Sequence, residues 1–349
     1  MDKQVSISFV FDFAPSLSKF SIFEIGESKS YIDVEASQKN FESKYNEFFK
    51  EQIVDLIHCC NEDRGSISAY FSGTFLEYLE VSDGQMLQRL KDSILDDNLS
   101  LLGGTYYHSL SSIYSKSIFI NEVRLHQEKL YSIFGKKPIH FYNTENIYFN
   151  DLANTINELG FISTFGGSID WYLGEVKDKR IFHSKDTEQL KILLVDSDEG
   201  KNIFDRPEMS VHFLQLESNG IAKLGGVKNI INKTKSKTHI TSIANLLKVE
   251  DLKAYQVNNP IMGSSWGLTL ASFHDSALQQ QAIKQFYKLE ALVTKTENQE
   301  LIQKWMVLGN INFFLNMSTE LYEDTIAYDT YASFINILND LEIECEIKP

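Results

Sequence analysis

Stretches with the apolar pattern of a strand alternate along the chain with stretches that have the apolar pattern of a helix. Residues 4–13 alternate with period two and are rich in β-branched and aromatic side chains, which predicts a first strand. Residues 40–60 place apolar side chains from Phe41 to Leu56 at helical spacing, which predicts a helix. The same pattern then predicts short strands at 66–71, 101–102, 138–142, 161–165 and 190–195, and helices at 74–98, 119–134 and 148–159. Such regular alternation is typical of a parallel sheet, or a barrel, whose strands are connected by helices.

The C-terminal part of the chain has a purely helical pattern. From about residue 275 the apolar side chains recur on one helical face, and further helices are predicted at 298–317 and 329–341. We therefore expect an α/β barrel domain over residues 1–270 and a helical region over 271–349 that packs on the barrel. No repeat or proline-rich linker marks this boundary.

Composition excludes several classes of partner. The chain has 349 residues, of which 43% are hydrophobic, so it can bury one large core. Its net charge of -15 would repel phosphate backbones and anionic membranes, so we expect neither nucleic acid nor a membrane as a partner.

Cysteine usage and the first apolar run indicate where the protein works. The three cysteines, Cys59, Cys60 and Cys345, show neither a disulfide framework nor the spacing of metal ligands. The apolar run that ends at Asp12 has no basic leader, so it is interpreted as a strand rather than a signal peptide. We expect a cytoplasmic protein without a metal or cofactor.

Glu145 is the first candidate for chemistry. It lies in the stretch FYNTENIYFNDLANTINELGF, residues 141–161, where an apolar strand ends and a helix begins. In a parallel α/β barrel such strand ends carry the functional side chains. The alternative is a structural role, in which Thr144 or Asn146 caps the next helix and Glu145 complements its dipole.

Seven stretches in collinear order carry a family resemblance. They are FSIFEIGESKSYID (20–33), YFSGTFLEYLE (70–80), LLGGTYYHSLSSIYS (101–115), VRLHQEKLYSIFG (123–135), FYNTENIY (141–148), and the later SSW and NFFLNMST. Together they resemble the α-amylase-like branch of glycoside hydrolase family 57. The resemblance implies an incomplete seven-stranded (β/α)7 barrel with a C-terminal helical region. It also implies retaining chemistry on α-glucans such as maltooligosaccharides or glycogen.

Retaining hydrolysis needs a nucleophile and a general acid, two carboxylates about 5 Å apart. The resemblance places the nucleophile at Glu145. It places the acid at Gln215, in the segment FLQLESNG, residues 213–220. A glutamine amide has no titratable proton to donate, so this resemblance implies a degenerate catalytic site.

The resemblance leaves three functions open. The favoured one is an impaired or inactive homologue that binds an α-glucan, with a binding or regulatory role beside a glucan-metabolising enzyme. The alternative is an active retaining hydrolase or 4-α-glucanotransferase with a relocated acid, for which Asp12 and Glu217 are the candidates. The third is a scaffold that no longer uses its cleft.

Other positions of the family pattern are changed or kept. The family's first-strand histidine falls on Asp12 or Phe13, and the glutamate of its Gly-Glu pair falls on Gly104. The retained candidates for substrate binding are Tyr106, Tyr107, His108 and Trp266. The aromatic rings either stack on a sugar or only pack in the protein interior. For His108 and Asp12 the alternative to a functional role is a structural one.

Overall fold

The structure is a computed structural model that describes residues 4–169, 173, 180–195, 211–250, 252–264 and 269–347. The chain forms two compact units. The first comprises Met1–Asp12, Lys44–Tyr106 and Ser117–Leu268, and the second comprises Phe13–Ser43, Tyr107–Lys116 and Thr269–Pro349. Each unit is therefore assembled from three separate stretches of the chain.

The first unit contains a mostly parallel sheet that curls as part of a barrel. Its strands are β1 (Gln4–Phe11), β2 (Ile67–Phe71), β3 (Leu99–Gly103), β4 (His140–Phe141), β5 (Ser163–Gly167), β6 (Ile181–Ser184), β7 (Lys191–Val195), β8 (Val211–Glu217), β9 (His239–Ile240) and β10 (Ala254–Tyr255). They are ordered β10-β6-β7-β5-β4-β3-β2-β1-β8, and β9 also pairs with β1. The predicted α/β fold is confirmed.

Helices connect the strands and make up most of the second unit. They are α1 (Val34–Lys44), α2 (Lys50–Glu62), α3 (Gly73–Ser82), α4 (Gly84–Leu95), α5 (Ser111–Tyr114), α6 (Lys116–Phe134), α7 (Asn150–Glu158), α8 (Ser218–Lys223), α9 (Val227–Lys235), α10 (Ile243–Leu246), α11 (Ala277–Lys288), α12 (Glu290–Lys295), α13 (Gln299–Val307), α14 (Ile311–Leu315) and α15 (Asp324–Ile347). Within the described ranges, none of these helices has the length and apolar character that crossing a membrane requires.

Alternation along the strands separates two apolar layers of the first unit. Val10, Tyr70, Leu102 and Tyr142 belong to one buried cluster, which includes side chains of six strands. Phe141, the residue before Tyr142, belongs to a second cluster with side chains of α6 and α7. Successive residues of a strand point to opposite faces, so the period-two pattern in the sequence sorts them between the two layers.

The range 74–98 is helical as predicted, but it forms two helices instead of one, because Asp83 separates α3 from α4. Asp83 has a non-helical backbone, with φ of -152° and ψ of 75°. One carboxylate oxygen accepts a hydrogen bond from the Met86 N–H at 2.9 Å, and the other accepts one from the Tyr45 hydroxyl at 2.7 Å. An aspartate in this position caps the following helix, and the hydrophobic period continues across it.

Further elements also differ from the prediction. The predicted helix over 298–317 is two helices. The first, α13, ends at Val307, and Asn310 caps α14, because its side-chain oxygen accepts a 2.9 Å hydrogen bond from the Asn312 N–H. The antiparallel strand β6, which pairs with β7, was not predicted. Its four residues are too few to show a period.

The second unit has its own aromatic core. The Phe286 ring stacks on Trp305 at 4.7 Å between centroids, and the Trp305 indole N–H donates to the Phe286 carbonyl at 3.0 Å. Asp340 on α15 accepts hydrogen bonds from the Tyr31 hydroxyl at 2.8 Å and from the Gly26 N–H at 2.6 Å. These contacts attach the stretch Phe13–Ser43 to the C-terminal helices, and the predicted helical C-terminal region is confirmed.

Candidate functional site

Glu145 lies in a short turn, Thr144–Asn146, directly after β4. It has the left-handed backbone angles φ 51° and ψ 28°, and Asn146 follows with φ 52°. This conformation costs a residue with a side chain roughly 1–2 kcal/mol. Hydrogen bonds hold it: the Gly263 N–H donates to the Glu145 carbonyl at 3.0 Å, and the Glu145 N–H donates to the Tyr142 hydroxyl at 3.2 Å. Strain that the surroundings impose at one residue is typical of a functional site.

The turn is buried, and it does not cap a helix. Glu145 has 0% of its surface exposed, and Thr144 and Asn146 have 1%. The N-cap of α7 is Phe149, so the proposed capping roles of Thr144 and Asn146 are wrong. Instead, the Asn146 side-chain N–H donates to the Gly263 carbonyl at 2.7 Å, which fastens the turn to the segment after β10.

Two tyrosines connect Glu145 with the end of β1. The rings of Tyr70 and Tyr142 lie 4.9 Å apart, and the Tyr70 hydroxyl donates to the Thr105 carbonyl at 2.5 Å. Burial raises the pKa of Tyr70 well above its ordinary value, and the carboxylates of Asp12 and Glu122 raise it further. Tyr70 therefore remains a hydrogen-bond donor at every physiological pH, in a neighbourhood that includes Asp12.

His126 on α6 joins the ends of two strands beneath these tyrosines. Its Nδ1 accepts a hydrogen bond from the Gly104 N–H at 3.0 Å, and its Nε2 donates to the Phe71 carbonyl at 2.8 Å. Burial lowers the pKa of His126 to about 4, so the ring is neutral at pH 7. A neutral ring with one donor and one acceptor satisfies both backbone groups.

The structure gives a steric reason for a glycine at position 104. A Cβ at Gly104 would lie 2.4 Å from the Tyr70 ring and 2.7 Å from the Tyr142 carbonyl oxygen. The Tyr70 ring thus occupies the space that a side chain at position 104 would need. Sequence analysis missed Tyr70, Tyr142, Glu122 and His126. The available signal was a glutamate and a histidine four residues apart on the apolar face of one helix.

Gln215 and Glu217 lie on β8 beside β1. The parallel register pairs Gln215 with Ser8 and Glu217 with Val10. Ser8 precedes Asp12 by roughly 13 Å of extended chain. The backbone of Glu217 is therefore nearer than that of Gln215 to the end of β1 that carries Asp12.

Comparison with known proteins identifies the family. The model of Glycosyl hydrolase family 57 matches residues 4–203, more than half of the chain. The chain belongs to glycosyl hydrolase family 57. The matched range includes Asp12 and Glu145 and ends before Gln215, so the assignment of Gln215 to the acid position stays a prediction.

Relatives in sequence and structure agree with this family. The "Putative alpha-amylase" of Methanocaldococcus jannaschii is 30% identical over 170 residues, which cover 48% of this chain and 35% of that protein. The chain thus matches about a third of the length of this curated relative.

Solved structures show the same fold over nearly the whole chain. The branching enzyme of Pyrococcus horikoshii, described as GH57-type, has a TM-score of 0.67 at 9% identity and covers 99% of this chain and 95% of its own. The α-amylase AmyC of Thermotoga maritima has a TM-score of 0.65 at 9% identity. The match covers 100% of this chain and 97% of the amylase. The 4-α-glucanotransferase of Thermococcus litoralis has a TM-score of 0.64 at 12% identity. The match covers 96% of this chain and 59% of the glucanotransferase. The predicted family and its (β/α)7-type barrel fold are confirmed.

The remaining substrate-binding candidates of this family 57 chain are not brought together by the described contacts. Tyr106 donates its hydroxyl to Glu77 at 2.6 Å and packs its ring against Gly73, so it fixes α3. Tyr107 and His108 are buried in the second unit, where the His108 carbonyl accepts a hydrogen bond from the Ile311 N–H at 3.2 Å. Trp266 lies outside the described residues. The sugar-binding roles of these residues stay predictions.

Proposed function

We propose that this family 57 protein binds an α-glucan or maltooligosaccharide at the Glu145 site and hydrolyses it poorly or not at all. The observation that carries the proposal is Glu145 itself, which is held in a strained backbone at the end of β4 and yet is fully buried. The strain supports a site kept for function, whereas full burial means that a sugar reaches the carboxylate only after the surroundings move. The names of the relatives, an α-amylase, a branching enzyme and a 4-α-glucanotransferase, support an α-glucan as the ligand.

The impaired chemistry follows from the residue at the proposed acid position. Gln215 donates no proton to a leaving oxygen and activates no water near neutral pH. Loss of general acid catalysis lowers a rate by about two to four orders of magnitude, or roughly 3–5.5 kcal/mol. A protein of this kind acts as a binding or regulatory partner of a glucan-metabolising enzyme. We place it in the cytoplasm, supported by its three buried free thiols.

Calorimetry and turnover on three proteins test this function. We expect a malto-oligosaccharide to bind the wild-type chain while amylose hydrolysis stays at background. Gln215→Asp should introduce hydrolysis. Gln215→Asn, whose side chain is as long as that of aspartate but has no titratable proton, should not. Robust wild-type hydrolysis that Glu145→Gln abolishes would contradict the proposed impairment, and absence of any glucan binding would leave only the scaffold.

A second function, an active retaining hydrolase or 4-α-glucanotransferase, is favoured by the position of Asp12. Its charge acts on Tyr70, whose ring packs on Tyr142 beside Glu145. If Asp12 is the relocated acid, Asp12→Asn should abolish cleavage of amylose but spare an α-glucosyl fluoride, which needs little acid assistance. Glu145→Gln should abolish both. Unchanged amylose cleavage in Asp12→Asn would remove this function.

A further inference from the structure

A cavity with both polar and apolar walls lies in the first unit, at the amino ends of the strands. It has a volume of ≈ 200 Å³, and its lining includes Ser66, Ser68, Ser100, His140 and Ser242. These residues begin β2, β3 and β4 or precede α10, whereas Glu145 follows the carboxyl end of β4. The cavity is therefore separate from the Glu145 site.

Small polar side chains leave this space open. Ser68 pairs with Ser100 in the β2–β3 register, and the Ser68 hydroxyl lies 2.6 Å from that of Ser8. Two residues further along their strands, Tyr70 and Leu102 belong to the apolar cluster. Barrel interiors are ordinarily filled with bulky branched residues, so serines in consecutive strands create a hydroxyl-lined volume below that cluster.

His140 has a hydrogen-bonding group that nothing in the described chain satisfies. The residue is 3% exposed, and its Nδ1 shares a 2.8 Å hydrogen bond with the Ser163 hydroxyl. Its Nε2 has no hydrogen-bond partner among the described residues, and the same holds for the hydroxyls of the partly buried Ser66 and Ser100. The Nε2 atom is accessible from the cavity, so it is available to bond to a molecule bound there.

The chemistry of the lining selects a neutral ligand. Burial lowers the pKa of His140 to about 4, so its ring is uncharged at pH 7. Asp97 is the one charged residue among the described lining residues, and its carboxylate pairs with the Lys136 ammonium at 2.5 Å. An anion in this cavity would find no cation among the described lining residues, and a cation would compete with Lys136 for Asp97. Ligand hydroxyls, by contrast, both donate to and accept from serine and neutral histidine.

We propose that this cavity is a binding site for a small neutral polyhydroxylated molecule, a polyol or a monosaccharide. Ring or chain hydroxyls bond to His140 Nε2 and to the Ser66 and Ser100 hydroxyls, while Ile243 supplies an apolar wall. The site is independent of the proposed function, because none of its residues belongs to the Glu145 turn.

Histidine-selective ¹⁵N NMR on the full chain tests the proposal, with glycerol and glucose as neutral probes and phosphate and acetate as anionic ones. We expect glycerol or glucose to shift the His140 Nε2 resonance. Ser100→Ala should weaken this binding by roughly two- to tenfold, since one hydrogen bond is lost. Ser100→Val, which fills the space, should abolish it.

Two control variants show whether the His140 shift arises from a ligand inside this cavity. Ser93→Ala removes a buried hydroxyl on α4 that does not line the cavity, and Glu145→Gln alters the other site; both should leave the His140 shift intact. No shift with either neutral probe overturns the proposal, as does an equal shift with phosphate or acetate. A shift that survives in Ser100→Val places the ligand elsewhere and also overturns it.

Discussion

Mild acid should destabilise this protein through two buried histidines. His126 and His140 are 0% and 3% exposed, and burial lowers the pKa of each from 6.5 to about 4. Between these values the unfolded chain binds more protons than the folded chain. The free energy of unfolding therefore falls as the pH falls through this window, and the loss is complete below about pH 4.

The magnitude follows from the size of the pKa change. A pKa lowered from 6.5 to about 4 corresponds to roughly 3–4 kcal/mol per histidine, of which about 2 kcal/mol is already lost at pH 5. For the two together the full effect is about 7 kcal/mol, which compares with a total stability of about 5–15 kcal/mol for typical proteins. We therefore expect cooperative acid unfolding before pH 4.

Urea unfolding at pH 7 and pH 5 measures the effect. In His126→Gln the stability difference between the two pH values should be about 2 kcal/mol smaller than in the wild type, because one titrating group is gone. His239→Gln, which alters an exposed histidine, is the matched control and should leave the difference unchanged. An identical pH dependence in His126→Gln, or an NMR titration of the His126 ring near pH 6.5, would refute the reasoning.

Two further predictions concern packing and capping. Gly104→Ala should cost about 1–3 kcal/mol, because the new Cβ meets the Tyr70 ring and the Tyr142 carbonyl, whereas Gly84→Ala on α4 meets nothing within 4 Å and should be neutral or stabilising. Equal melting temperatures for the two variants would contradict this, because they would show that the Tyr70 ring moves aside at no cost. Asp83→Ala should lower the free energy of unfolding in urea by about 2 kcal/mol, because it removes the helix cap and the Tyr45 hydrogen bond. Asp83→Asn keeps the cap and should lower it less. Unchanged stability in Asp83→Ala would contradict this role.

The family motifs and the alternation of strands and helices were readable from the sequence because both are local. A strand of five residues or a helix of twelve repeats its own apolar period, whatever packs against it. The position of Glu145 after β4 was predictable for the same reason. Breaks such as Asp83 and Asn310 were missed, because the hydrophobic period continues across a capping residue.

The sequence by itself determined the family, the α/β class and the strand end that carries Glu145. Only the tertiary structure decided that Glu145 is buried with a left-handed backbone, since Gly263 holds that backbone from more than a hundred residues away. It also decided that Tyr70 occupies the space beside Gly104, and that serines of separate strands line a cavity together with His140. Burial, backbone strain and cavities depend on residues far apart in the chain, and no local period records them.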